Sequence, residues 1–346
     1  MPHASPGAAS PGAALLGPPP SPWLRGPTFD LVLIVGVLAL ALVLGGTAAL
    51  SPALFAGVLV VDFWLLAYPH VASTFTRVAF DRAGVRRHWF LLFGLPPLVL
   101  AGTAGVTFAG GVIALNTVYY TWQSWHYSRQ SFGIARAYHR RAGAPHGRDR
   151  LSDLVVYAFP AWGILHRSAQ GNDTFYDMPL FLPQVPAAIE WIAAAVALTA
   201  LALWIRRALR TGLAGAGHSL FVASHVVITT LSYVVIDEIT RGWLFINLWH
   251  NAQYLLFVWA ANARRFAGGV EPERRFLSRL CQREHVLAYA LCCLGLGGAF
   301  YAALGVALDR SSWGLLPIVL IGHMTVNFHH YLVDAVIWRS PRPRST

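Results

Sequence analysis

Stretches of about 20 apolar residues recur along this chain, and the connections between them carry arginine at every second turn. In hydrocarbon every backbone N–H and C=O must be paired inside its own segment, so such runs fold as helices. We place spans at about 29–50, 53–78, 88–108, 111–138, 151–169, 186–206, 218–236, 242–262, 284–307 and 313–338. Arg77, Arg82, Arg86 and Arg87 follow the second span, Arg140 and Arg141 the fourth, Arg206, Arg207 and Arg210 the sixth. Arg264, Arg265, Arg274 and Arg275 follow the eighth, and Arg339, Arg342 and Arg344 the tenth. The intervening connections carry few charges or none. This alternation predicts an all-α, polytopic membrane helix bundle of about ten transmembrane helices, with both termini cytoplasmic in a cell inner membrane. Residues 1–28 (Pro, Ala, Gly and Ser) read as a disordered cytoplasmic tail without a cleavable signal peptide, 29–338 as one transmembrane domain, and 339–346 as a basic tail.

Composition agrees, with 56% hydrophobic and only 12% charged residues. The net charge of +11 sits in short loops between apolar runs, which is a topology signal and argues against a nucleic-acid partner. Three cysteines, Cys281, Cys292 and Cys293, form no disulfide framework or thiolate metal motif.

What the apolar pattern does not explain is the histidine content. Of 14 histidines, about half fall inside the spans. Ionisable groups there are costly and face a bundle interior, where they pair, bind an ion or relay protons. On the last span His323, Asn327, His330 and Asp334 share a sector of roughly 60°, with His329 about 120° away. The second span carries Asp62, His70, Thr74 and Arg77; the fourth Asn116, Tyr120, Gln123, His126, Tyr127 and Gln130; the seventh His218 and His225; the eighth Asn247, His250, Asn251 and Tyr254. Counted by helical rise, His250 and His323 lie about 12–15 Å from the outer ends and His70, His126 and His330 about 22–26 Å, with His225 about 10 Å from the inner end. His3, His88, His139, His146, His166 and His285 lie at helix ends or in loops and read as structural, and Arg77 and Arg339 as snorkelling topology residues.

Imidazoles from several helices without thiolates suit iron, copper or zinc. Non-haem iron, one or two ions, fits oxidation of a lipophilic small molecule drawn from the bilayer, with an electron donor where the chemistry requires one. In that reading His70, His126, His250 and His323 are the first candidates for ligands, and His330 and His225 the next. Asp62, Asn116, Gln123, Gln130, Asn247 and Asn327 surround the cofactor, and Asp334, Tyr127 and Tyr254 are candidate catalytic groups. The alternatives are a b-type haem held by two histidines at equal depth in a quinone-linked electron-transfer protein, a His/Asp transporter or proton channel, and a structural subunit of a larger complex.

Two families share features with this pattern. The His-rich spans and Phe328-His329-His330 resemble integral-membrane desaturases and hydroxylases, although the HxxxH and HxxHH boxes of those enzymes are absent. Pro69-His70, Trp125-His126, Trp249-His250 and Gly322-His323-Met324 resemble, in order and spacing, the Brp/Blh family of membrane carotene-cleaving dioxygenases. Thr74 and Arg77 stand where that family has an acidic residue and a second histidine. The resemblance implies a many-helix fold and iron held by His70, His126, His250 and His323.

Overall fold

The computed structural model describes residues 20–143, 149–309 and 317–338. Most of both terminal tails, His3, His146 and the start of the tenth predicted span lie outside the described residues. Within them the chain is almost entirely helical. The long helices are α1 (Pro27–Ala49) and α2 (Pro52–Phe75), then Phe90–Arg141, broken at Gly111 into α4 (90–110) and α5 (112–141). They continue with α6 (Arg150–Gln170), α7 (Ala187–Thr211), α8 (Ala216–Thr230, extended by a wide turn Leu231–Val235), α9 (Ile239–Arg265), α11 (Val286–Asp309) and α12 (Ile318–Ile337). Two short helices, α3 (Arg82–Arg87) and α10 (Arg275–Leu280), lie in the arginine-rich connections.

Among the described residues, five segments are long and apolar enough to cross a membrane: Pro27–Ala49, Pro52–Phe75, Phe90–Arg141, Ala187–Val235 and Arg283–Ala307. Two of these contain a break, at Gly111 (φ 68°) and Gly212 (φ 58°), where the left-handed backbone favours glycine. The distribution of side chains is that of a membrane protein. Phe93, Phe108, Leu209 and Leu287 are exposed, while Asp62, His70, Asn116 and His250 are buried.

Local chemistry sets the helix ends. Ser51 accepts from the Leu54 amide with Pro52 in the first turn, Asp149 from the Ser152 amide, and Glu238 from the Thr240 and Arg241 amides. Helix α2 widens into a π turn over Phe63–Ala67 immediately before Tyr68-Pro69-His70. Pro69 has no N–H to give the preceding turn and its ring crowds that turn's carbonyl, so the chain widens there and re-aims His70.

Helix α9 is the centre of the bundle, with nearly every residue from Ile239 to Tyr254 buried. It packs against α1, α2 and the wide turn of α8. The connection after α6 forms a small antiparallel hairpin, β1 (Thr174–Phe175) and β2 (Met178–Pro179), turned by Tyr176 and Asp177, both at φ 55°. Neither residue signals such a turn in the sequence. The hairpin is held because the Asn116 amide donates to the carbonyls of Phe175, Met178 and Pro179.

Helix α11 approaches α2 most closely where Gly297 meets the carbonyl of Tyr68. A Cβ at Gly297 would lie 2.5 Å from that oxygen, against backbone that cannot move aside, whereas one at Gly295 would meet nothing within 4 Å. Gly297→Val is expected to destabilise the protein by about 1–3 kcal/mol, read as a lowered thermal midpoint, with Gly295→Val unchanged.

Candidate metal centre

Four helices each aim one imidazole at a common point: His70 from α2, His126 from α5, His250 from α9 and His330 from α12. All four are buried. Ring centroids are separated by 4.6 Å for His70–His330, 4.8 Å for His70–His250, 5.0 Å for His126–His250 and 5.1 Å for His126–His330. One ligating nitrogen each from His70, His126 and His250 falls within 4.8 Å of the others, and His126, His330 and an Asp334 oxygen form a second such group.

The Nε2 atoms of His70 and His330 are 2.7 Å apart. Two nitrogens bonded to one metal at about 2.1 Å stand roughly 3.0–3.4 Å apart, so a few tenths of an ångström of ring movement turns this pair into ligands. His126 Nε2 is buried with no hydrogen-bond partner, as are the Nδ1 atoms of His70 and His250. Orphaned buried nitrogens of this kind are costly unless something binds them.

The tautomer of His330 follows from its neighbours. Tyr254 Oη donates to Asp334 Oδ1 at 2.5 Å and Thr74 Oγ1 donates to the same oxygen at 3.1 Å. With its one proton so committed, Thr74 accepts from His330 Nδ1 at 3.0 Å. That leaves the lone pair of His330 Nε2 facing the cluster, which is the form a metal ligand needs. On the opposite side Asp62 accepts from the Nδ2 atoms of Asn247 and Asn251, and Asn247 Oδ1 accepts from Tyr127 at 2.5 Å. The Tyr127 ring lies 4.3 Å from that of His250.

Charge argues in the same direction. Asp62 and Asp334 are buried in the same dry interior, where a divalent cation would offset whatever negative charge they carry. The donors are nitrogen-rich and free of thiolate, because Cys281 and Cys293 are buried elsewhere beside Tyr289. The residues fit an iron, copper or zinc ion.

His70, His250 and His330 of the cluster line a cavity of about 780 Å³. Helix α12 and the residue before it line it from Pro317 to His330, a run of about 20 Å at 1.5 Å per residue. Its walls are mainly Leu, Val, Phe, Tyr and Trp, and the hairpin residues Tyr176 and Met178 form part of them.

The chain matches no family model, and no curated protein or solved structure matches it at a significant level.

The predicted site residues divide into three groups. His70, His126, His250 and His330 converge, with Asp62, Asn247, Tyr127, Tyr254 and Asp334 around them. His323, Gln123 and Asn327 line the cavity away from the cluster: His323 packs on Tyr301, Gln123 accepts from Trp243 Nε1, and Asn327 donates to the His323 carbonyl. His323 therefore does not join the group expected of it, and His330, one of the second-choice residues, stands in its place. Along the helix the two are about 10 Å apart. His225 and Asn116 are engaged elsewhere. His225 bonds the Val156 carbonyl at 3.0 Å, and Asn116 anchors the hairpin. Gln130 reaches only the His250 carbonyl, at 3.5 Å. Thr74, which marked a departure from the carotene-cleaving pattern, is the residue whose hydroxyl orients His330.

His139, taken as structural, lies with His218 near Asp149 at the arginine-rich end. Burial would push the Asp149 carboxyl up, but Arg207 at 2.6 Å and the Ser152 amide and hydroxyl hold it below the usual carboxylate range. Its charge is already matched, so the group reads as a salt-linked helix cap.

The relay at His330 can be tested directly. Thr74→Val keeps the shape and removes the acceptor for Nδ1. It is expected to weaken metal binding about 10–100-fold in a competitive chelator titration, while His330→Ala loses the metal and His323→Ala retains it.

Proposed function

We propose that this chain is an integral membrane, metal-dependent oxidoreductase of the non-haem iron type, acting on a lipid or isoprenoid substrate at the four-histidine cluster. The observation that carries the reading is the convergence of four buried imidazoles, three of which line a long, largely apolar cavity. A site of that shape holds an extended hydrophobic molecule with one portion against the nitrogens. The bound iron would supply activation of dioxygen.

The protein's own contribution is binding, orientation and exclusion of water. Aromatic and aliphatic walls exclude water from the cluster. Asp334, Tyr254 and Thr74 hold His330 in one tautomer, and Asp62 with Asn247 and Asn251 supplies charge balance on the other side. Tyr127, beside His250 and on the cavity wall, and the Tyr254–Asp334 pair are the groups able to give or take a proton next to bound substrate. The haem alternative is disfavoured by the same geometry: the His126 and His330 rings are only 5.1 Å apart, and beside His70 and His126, 6.4 Å apart, the His250 and His330 rings, each within 5.1 Å of both, take the space a macrocycle would need.

The topology belongs to the same proposal. Helices α5, α7 and α9 carry arginine in their last turns and Arg77 lies just beyond α2, while the hairpin lies at the opposite, arginine-poor ends. With ten crossings and both termini cytoplasmic, every one of these ends faces the cytoplasm of an inner-membrane protein. The cluster then sits in the cytoplasmic half of the bilayer, within reach of a soluble electron donor if the reaction needs one.

Elemental analysis and an absorption spectrum of the purified protein test the reading. The expected result is about one iron per chain, no Soret band, and oxygen uptake on adding a membrane lipid extract, abolished by His126→Ala. A Soret band would assign haem instead. A metal-free preparation with pH-dependent flux in liposomes would assign transport.

A further inference from the structure

Next to the inner ends of α2, α9 and α12 lies a second cavity of about 550 Å³ whose character is opposite to the first. Four guanidinium groups, Arg77, Arg87, Arg265 and Arg274, line it together with the single carboxylate of Asp81. Asp81 is fully committed: it caps α3 through the Gly84 amide and pairs with Arg265 and Arg274, each at 3.2 Å. Burial pushes its carboxyl up, but the Gly84 amide and the two guanidinium groups outweigh that and hold it below the usual carboxylate range, ionised at neutral pH.

Arg77 and Arg87 have no carboxylate partner among the described residues. Arg77 spends one N–H on the neutral Asn262 carbonyl at 3.2 Å and stacks 4.9 Å from the Trp338 ring. Burial, and then the like charge of Arg265, lower its pKa. Snorkelling, the reading for Arg77 from its position alone, would send it out to water. Here it turns into a shared pocket where positive charge is in excess. Val336 and Ile337 of α12 form the apolar part of the wall, and Val336 is exposed.

We propose that this pocket binds the phosphate of an acidic phospholipid headgroup of the inner leaflet. Guanidinium forks match phosphate oxygens in pairs, and the apolar wall suits the start of an acyl chain. The pocket gathers Arg77 from just beyond α2, Arg265 from α9 and the end of α12. A bound anion therefore fastens the inner ends of three of the four helices that carry the clustered histidines. This does not rest on the metal reading, since the pocket and its charge stand whatever the histidines hold.

Thermal unfolding of the full-length protein in neutral detergent, with and without added lipid, decides it. Phosphatidylglycerol is expected to raise the midpoint by about 3–5 °C and phosphatidylcholine to leave it unchanged. Arg77→Gln with Arg87→Gln should abolish the shift, while Arg206→Gln with Arg210→Gln, which removes equal charge from the arginine-rich end of α7, should keep it. Where the double variant fails to fold, Arg87→Gln alone, on an exposed residue of α3, should at least halve the shift. A shift of the same size from inorganic phosphate would overturn the lipid assignment in favour of a free phosphate. An equal response to phosphatidylcholine, an undiminished shift in the Arg77/Arg87 variants, or no response to either phosphate source would overturn the site itself.

Discussion

The cost of placing polar groups in hydrocarbon governs this structure more than any single contact. A helix in a bilayer satisfies its own backbone, so every buried imidazole, carboxamide and carboxylate must be answered by a side chain from another helix. Helix α9 shows the consequence. It is buried on all sides, and its Asn247, His250, Asn251 and Tyr254 meet partners from α2, α5 and α12. The polar groups thus fix which helices are neighbours and in what rotation, a choice that non-directional packing leaves open. Stability and site geometry depend on the same contacts.

Much of the architecture was legible because membrane helices advertise themselves. The apolar runs, the Gly110-Gly111 break and the arginine-rich ends each have one simple physical reading, and among the described residues the chain is helical with five segments able to cross a membrane. Harder features depend on partners far away in sequence. The hairpin at Thr174–Pro179 contains no glycine or asparagine in its turn, and it forms because a helix presents Asn116 to three of its carbonyls. Nothing within the hairpin's own sequence announces that anchor.

The choice between His323 and His330 shows where reading by periodicity ends. Seven residues apart, they differ by only about 20° around a helix, so the angular pattern ranks them equally. Depth has to decide, and depth depends on where the helix begins. A span begun at 313 set His323 well inside the bilayer; the helix runs from Ile318, a shift of about 7 Å at 1.5 Å per residue. His323 stands up the cavity wall against Tyr301, whereas His330, counted level with His70 and His126, meets them, and His250, counted level with His323, joins them as well. His225 failed for the complementary reason. Its depth was well placed, but α8 turns that face towards Val156 on α6, and no depth count reveals which neighbour a side chain meets.

Thr74 extends the argument from position to protonation. An acidic residue close to His330 Nδ1 would orient the ring, but it would also add a charge to a site that already holds Asp62 and Asp334. A hydroxyl passes the same orientation along without that charge, because it donates to Asp334 while accepting from the imidazole. Tyr254 shares the load on Asp334 from the other side. Read in this way, the threonine that breaks the family-like pattern in the sequence is the residue that lets four neutral imidazoles and two acids coexist in a dry interior. Its effect on the site is carried by one proton's position, which only the assembled helices define.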